Sequence, residues 1–108
     1  MEKGIKLALK EYYEKKKNNP DTYHIAENEL DNIGYLLMNN DNINAAIEIF
    51  ALNVEEYPES RNVYDSLAEA YMKKGDKELA IKNYKKSLEL DPDNTTAAEM
   101  LKELNESE

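Results

Sequence analysis

The feature that most constrains the fold is an internal repeat with a period of 34 residues. When Pro58 is aligned with Pro92, residues 27–60 lie over residues 61–94, and the aligned apolar, small and proline positions keep their size or chemical type. The eight pairs are Leu30 with Tyr64, Ile33 with Leu67, Gly34 with Ala68, Leu37 with Tyr71, Ala46 with Ala80, Ile47 with Ile81, Phe50 with Tyr84 and Pro58 with Pro92. A chance alignment would not match at all of these positions, so the sequence predicts two copies of one structural unit.

Each copy is predicted to contain two helices. In residues 61–74 the apolar side chains recur at steps of three and four, which places them on one side of a helix. Gly75 is predicted to end this helix in the left-handed conformation, and Asp76 is predicted to cap the next one. Pro92 has no amide hydrogen and is predicted to end the second helix. Residues 39–42 of the first copy, Asn-Asn-Asp-Asn, are predicted to form the equivalent turn, because Asn tolerates left-handed backbone geometry.

Two flanking segments complete the predicted architecture. The segment 4–17 carries apolar side chains at helical spacing and aligns with the second half of a copy, so it is predicted to be the second helix of an otherwise missing unit. The C-terminal segment is predicted to be a capping helix, apolar inside and polar outside. The chain is therefore predicted to be an all-α single domain, 1–108, of about six helices stacked as three hairpins. Its predicted parts are 1–26 (N-terminal helix and turn), 27–60 (first repeat), 61–94 (second repeat) and 95–108 (C-terminal capping helix).

This pattern resembles the tetratricopeptide repeat (TPR), whose 34-residue unit has Trp-x2-Leu-Gly-x2-Tyr, then Ala-x3-Phe, then Pro. The second copy has Tyr64-x2-Leu67-Ala68-x2-Tyr71, Ala80-x3-Tyr84 and Pro92, and the first has Leu30-x2-Ile33-Gly34-x2-Leu37, Ala46-x3-Phe50 and Pro58. The departures are conservative, with Tyr or Leu for Trp and Ala68 for Gly. The resemblance implies a TPR-like right-handed superhelical stack of helix-turn-helix hairpins, which binds a protein or peptide segment along its concave face.

A narrower resemblance, carried by residues 46–50, 52–58 and 62–71, is to the repeat-containing tails of some bacterial serine hydrolases and esterases. It implies an alternative function, that of an accessory C-terminal domain that positions or dimerises a larger enzyme. A homodimer is also compatible with the sequence, because each hairpin buries its face mainly against the next and two repeats are few. No targeting signal is visible, so a stand-alone chain is expected in the cytoplasm, whereas a tail of a larger hydrolase could be exported.

Charge and composition exclude several function classes. The net charge of −9 argues against a nucleic-acid partner and against an anionic membrane surface. The chain has no cysteine, and its only histidine, His24, is predicted to lie in a surface linker rather than to bind a metal. No serine stands in a nucleophile motif, and no phosphate-binding loop occurs. We therefore expect no cofactor, no metal and no enzymatic activity.

The resemblance places a candidate peptide-binding face on the first helix of each repeat. Asp31, Asp65 and Glu69 make this face acidic, unlike the basic face of family members that bind the acidic tails of chaperones. The expected partner is therefore neutral or basic, with Tyr35 and Met38 as apolar contacts. Glu99 and Glu103 of the capping helix are expected to add to the same charge. The predicted face residues are Asn28, Asp31, Asn32, Tyr35, Met38, Asn39, Asn62, Asp65, Ser66, Glu69, Met72 and Lys73.

Overall fold

The computed structural model describes residues 26–106, and this part of the chain consists of helices joined by short turns. The helices are α1 (Glu27–Asn39), α2 (Ile43–Glu56), α3 (Arg61–Lys74), α4 (Lys77–Leu90) and α5 (Thr95–Glu106). No strand occurs among the described residues, which confirms the prediction of an all-α helical repeat. Five of the six expected helices are observed. The helix predicted in residues 4–17 lies outside the described residues, as does His24.

Each helix packs against the next one along the chain, and α1 also contacts α3 directly. The pair α1–α2 falls inside residues 27–60 and the pair α3–α4 inside residues 61–94, so each predicted repeat contains one hairpin. The helix α5 lies where a capping helix was predicted. Because the two first helices touch, side chains on neighbouring surfaces of α1 and α3 can act together.

The turns inside the two hairpins have the same backbone design. Gly75 has φ 92°, and the amide of Asp76 donates to the carbonyl of Tyr71 at 2.9 Å. In the first hairpin the amide of Asn42 donates to the carbonyl of Leu37, also at 2.9 Å. The left-handed residue there is Asp41, with φ 64°. The prediction that an asparagine would take this conformation was therefore wrong. Asp is able to replace it because its short polar side chain also tolerates positive φ.

The helix ends follow the chemistry of the residues beside them. The side chain of Asp76 accepts a hydrogen bond from the amide of Leu79 at 3.2 Å, which confirms it as the cap of α4. The helices α2 and α4 each end two residues before a proline, Pro58 and Pro92. The prediction that these prolines prevent the helices from continuing is consistent with both ends.

The apolar core has two parts that run through successive hairpins. The first combines buried residues of α1 and α2, such as Leu30 and Phe50, with Leu67 and Ala70 of α3. The second combines Ala68 of α3 with residues of α4 and α5. The members of this second cluster are Ala68, Ala80, Tyr84, Ala97 and Leu104. The helix α3 thus contributes to both clusters and joins the hairpins into one stack.

The predicted stripe of α1 is only partly buried. Leu30, Gly34 and Leu37 are buried as expected, but the side chain of Ile33 is 38% exposed. Its repeat equivalent, Leu67, is 6% exposed and packs in the cluster that contains α2. The difference is positional, because the described residues place a helix before α3 but none before α1.

Gly34 lets α1 approach α2 closely. A Cβ atom at this position would lie 2.6 Å from Cζ and 2.7 Å from Cδ1 of Phe50, which is inside van der Waals contact. Phe50 is fully buried, so its ring has little room to move. In the second hairpin Ala68 occupies the equivalent position and is itself fully buried.

We expect Gly34→Ala to lower the free energy of unfolding by about 1–2 kcal/mol. Overpacking costs about 1–3 kcal/mol, and the better helix propensity of Ala recovers about 1 kcal/mol. Urea unfolding followed by circular dichroism measures the change. Introduced into the Phe50→Leu variant, Gly34→Ala should lower the free energy of unfolding by less than it does in the parent protein. A stabilised Gly34→Ala protein would show that the ring is free to yield.

Candidate peptide-binding face

The contact between α1 and α3 places a polar cluster on their shared surface. Ser66 on α3 donates its hydroxyl to a carboxylate oxygen of Asp31 on α1 at 2.6 Å. The hydroxyl of Tyr35, one turn after Asp31, lies 3.4 Å from the same serine oxygen. Glu69 lies one turn after Ser66, close enough for its charge to act on Tyr35. We call the surface formed by Asp31, Tyr35, Ser66 and Glu69 the inner face.

Tyr35 is held by packing as well as by polar contacts. Its ring meets the ring of Phe50 edge-on, with centroids 5.2 Å apart and an interplanar angle of 70°. This geometry is favourable for two aromatic rings, and it fixes the position of the tyrosine hydroxyl above the first hairpin. One side of Tyr35 therefore belongs to the core, and the other belongs to the inner face.

The structure distributes the predicted face residues over three environments. Two of them, Met38 and Ser66, are buried, with exposures of 3% and 4%. The expectation that Met38 offers an apolar contact to a partner is therefore wrong. The turn at residues 40–42 brings α2 back along α1, and Met38 belongs to the first core cluster together with buried residues of α2 and α3. Exposed residues are Asn28, Asn32, Asn39, Asn62 and Lys73, and half-buried ones are Asp31, Tyr35, Asp65, Glu69 and Met72.

Asp65 has partners within the chain, which the sequence analysis did not anticipate. Arg61, one turn earlier on α3, donates to its carboxylate at 3.0 Å and also lies 3.3 Å from the carboxylate of Asp91. The side-chain amide of Asn94 donates to the same Asp65 carboxylate at 3.0 and 3.2 Å. Asp65 is therefore largely compensated, and the acidity of the inner face comes mainly from Asp31 and Glu69.

Asn94 is the second residue that the sequence analysis missed. It is 6% exposed and donates to the hydroxyl oxygen of Ser87 at 2.8 Å. Its side-chain oxygen accepts from the amide of Ala97 at 3.2 Å and so caps α5. An Asn directly before a predicted helix was a visible capping signal, whereas its contacts with α3 and α4 depend on the stacking of the hairpins.

Burial perturbs the ionisable groups of the inner face. It raises the pKa of Asp31 above its ordinary value, an effect opposed by the hydrogen bond from Ser66 and increased by the charge of Glu27. Burial likewise raises the pKa of Tyr35 to about 12, opposed by Ser66 and reinforced by the charges of Glu69 and Asp31. Tyr84 on α4 behaves similarly, because burial first and the charges of Glu69 and Asp65 next raise its pKa to about 12. The carboxylates thus disfavour further negative charge at this surface.

Raised tyrosine pKa values predict alkaline destabilisation. Above about pH 10 tyrosines of the unfolded chain lose protons, while Tyr35 and Tyr84 keep theirs in the folded state. The free energy of unfolding therefore falls as pH rises from about 10 to 12. The double variant Tyr35→Phe/Tyr84→Phe should lose stability less steeply, as measured by thermal unfolding at stepped pH. Equal slopes for the variant and the parent protein would contradict this prediction.

The described residues offer no visible catalytic or metal arrangement. They contain no group of three His, Cys, Asp or Glu side chains placed to hold a metal ion. The hydroxyls of Ser66 and Ser87 bond to Asp31 and Asn94, and residues 26–106 contain no histidine that could act as a base. None of the helices between these limits is both long and apolar enough to span a bilayer.

Comparison with known proteins identifies the repeat. Residues 66–94 match the family model of the tetratricopeptide repeat. The matched stretch begins within α3, contains all of α4 and ends at the residue before α5. A search of curated proteins gave no match, and the resemblance to hydrolase tails stays a prediction. With the repeat matched at residues 66–94 and its helical hairpins observed, the chain contains a tetratricopeptide repeat.

Proposed function

We propose that this chain is a non-catalytic protein-binding module that takes a neutral or basic peptide segment along its inner face. Proteins built from tetratricopeptide repeats generally bind other proteins and are generally non-catalytic. The observation that carries the proposal is the lining of the inner face, where Ser66 bonds to Asp31 and lies beside the hydroxyl of Tyr35, on which the charge of Glu69 acts.

Electrostatics support a basic partner. The segment 27–60 contains eight Asp or Glu and no Lys or Arg, so no cationic side chain within the first repeat compensates its negative charge. Burial and Glu27 raise the pKa of Asp31, which means that its negative charge is disfavoured in the free protein. A Lys or Arg side chain brought by a partner would relieve this cost, whereas an acidic segment would increase it.

The remaining contacts suit an extended backbone. Exposed asparagines lie along both helices, and each can donate to and accept from a peptide group. They are Asn28, Asn32, Asn39 and Asn62. Half-buried Met72 and the accessible side of Tyr35 offer apolar contact in place of the buried Met38. These asparagines can therefore bind a main chain through their amides, while the carboxylates of the inner face select its charge.

Selection from a phage-displayed library of short random peptides tests this proposal. The immobilised full-length chain should enrich sequences with an excess of Lys and Arg over Asp and Glu. The double variant Asp31→Asn/Glu69→Gln keeps the acceptor for Ser66 but removes both charges. It should bind the enriched peptides about five- to thirtyfold more weakly, because each ion pair with the partner contributes about 0.5–1 kcal/mol at a partly exposed surface.

The matched control is Glu48→Gln/Glu55→Gln, which removes the same charge from exposed positions of α2. This variant should bind nearly as well as the parent protein, and the parent's binding should weaken with added salt. Enrichment of acidic peptides, or equal losses in the two double variants, would overturn the assignment of the inner face.

A further inference from the structure

A pocket lies at the end of the first hairpin where α1 begins and α2 ends. Its volume is about 470 Å³, within the range of about 300–1,000 Å³ that is usual for ligand pockets in proteins. The walls come from the first residue of α1, the last residue of α2 and the loop that leads to α3. Half of the lining residues are glutamates, and we call the site the acidic pocket. It is lined by Glu27, Glu56, Tyr57, Pro58, Glu59 and Ser60.

The second repeat has a cation in the equivalent place. With the offset of 34 residues, Glu27 corresponds to Arg61. The guanidinium of Arg61 lies 3.0 Å from a carboxylate oxygen of Asp65 and 3.3 Å from one of Asp91. It thereby connects the start of α3 with the residue that follows α4. In the first repeat a carboxylate stands where the second repeat has this guanidinium.

The charge of the first repeat is therefore arranged differently from that of the second. Glu27 lies close enough to Asp31 for its charge to act on that carboxylate. The counterpart of Asp31 is Asp65, which instead accepts a hydrogen bond from Arg61. A ligand that carries a guanidinium would bring to the first repeat the compensation that the second repeat contains in its own chain.

A buried acceptor next to the acidic pocket also favours a ligand that donates hydrogen bonds. Asn53 is fully buried, and its side-chain amide donates to the backbone carbonyl of Glu27 at 3.1 Å. Its side-chain oxygen is buried and has no donor within the described part of the chain. The equivalent residue of the second repeat, Ser87, is served by the side-chain amide of Asn94 at 2.8 Å. Buried polar groups are nearly always hydrogen-bonded, so the missing donor at Asn53 points to a bound group beside Glu27.

We propose that the acidic pocket binds the guanidinium of an arginine residue in a partner peptide. The carboxylates of Glu27 and Glu59 pair with the guanidinium, and Tyr57 and Pro58 contact the aliphatic part of the side chain. Arginine is preferred to lysine because its planar group has five donors and can serve several acceptors at once.

The acidic pocket adjoins the inner face, because Glu27 lies one turn before Asp31 on α1. A peptide bound along the inner face can therefore place an arginine in the pocket. The inference rests on the proposed function for the identity of the partner, whereas the binding of a guanidinium depends on the pocket alone.

Titration of the isotopically labelled full-length chain with N-acetyl-arginine amide tests the pocket without a peptide. The amide chemical shifts of the lining residues should saturate with a dissociation constant on the order of 1–10 mM. N-acetyl-lysine amide should bind about threefold or more weakly. The variant Glu27→Gln/Glu59→Gln should bind the arginine amide about five- to thirtyfold more weakly. The matched control Glu48→Gln/Glu78→Gln, which removes the same charge from exposed positions of α2 and α4, should bind it as the parent protein does.

Three results would overturn the proposal. They are shifts that do not saturate well above the expected dissociation constant, equal binding of the arginine and lysine amides, and equal losses in the two double variants. Thermal unfolding establishes that the variants remain folded, which is expected because Glu59 is exposed and Glu27 is half-buried. A peptide library without a preference for basic sequences, together with saturable binding of the arginine amide, would reject the proposed function and support the acidic pocket.

Discussion

Replacing Phe50 by Ala should lower the free energy of unfolding by about 3–5 kcal/mol. The ring of Phe50 is fully buried, fills the space next to Gly34 and packs edge-on against the ring of Tyr35. Removing it leaves a cavity between α1 and α2 and takes away the edge-on aromatic contact. Because a domain of this size is stable by only about 5–15 kcal/mol, the variant should be partly unfolded at modest urea concentration.

Urea unfolding monitored by circular dichroism measures this loss. Phe50→Leu is the matched control. Its loss in the free energy of unfolding should be less than half of the loss caused by Phe50→Ala, because leucine keeps much of the buried volume. Phe50→Ala should also weaken peptide binding, since Tyr35 would lose the packing that positions its hydroxyl. A loss below about 1 kcal/mol would mean that the first hairpin collapses around the missing ring.

Asn94→Ala should cost about 2–4 kcal/mol. The substitution removes the cap of α5, which contributes about 1 kcal/mol, and it also removes the donor that serves Ser87 and Asp65. Ser87 is fully buried, so an unsatisfied hydroxyl there adds about 1–3 kcal/mol. Hydrogen exchange should show faster opening of α5, and urea unfolding should give the total loss.

Asn94→Ser separates the two contributions. A serine side chain can cap a helix but cannot reach three partners. This variant should therefore retain the cap and lose the connection between α3, α4 and α5. If Asn94→Ala changed the free energy of unfolding by less than about 0.5 kcal/mol, the hydrogen bonds of Asn94 would not contribute measurably to the stability of the fold.

Local chemistry allowed much of the fold to be predicted from the sequence. The helices follow from the spacing of apolar residues, and their ends follow from Gly75, Asp76, Pro58 and Pro92, each of which acts within a few residues of itself. The repeat added a check, because a feature found in one copy was expected in the other. Asp41 shows the limit of this approach, since two residue types were able to provide the same positive φ.

The inner face was harder to predict because its properties depend on neighbouring helices. Met38 follows the same stripe as exposed residues, and the packing of α1 with α2 and α3 in the first core cluster buries it. Ser66 was expected on the surface, but the approach of α1 covers it and pairs it with Asp31. Asn94 is distant from Asp65 in sequence and meets it through the stacking of the hairpins, whereas Arg61 lies one turn before Asp65 on the same helix. Residue type alone did not reveal these contacts.

The most direct test of the proposed binding face is an amide chemical-shift map of the isotopically labelled chain with the most strongly enriched library peptide. Binding on the inner face predicts that the largest shifts fall on α1 and α3, around Asp31, Tyr35 and Glu69. Amides near Glu48 and Lys82, on exposed positions of α2 and α4, should change little. Largest shifts on α2 and α4, with the inner face unchanged, would contradict the proposal.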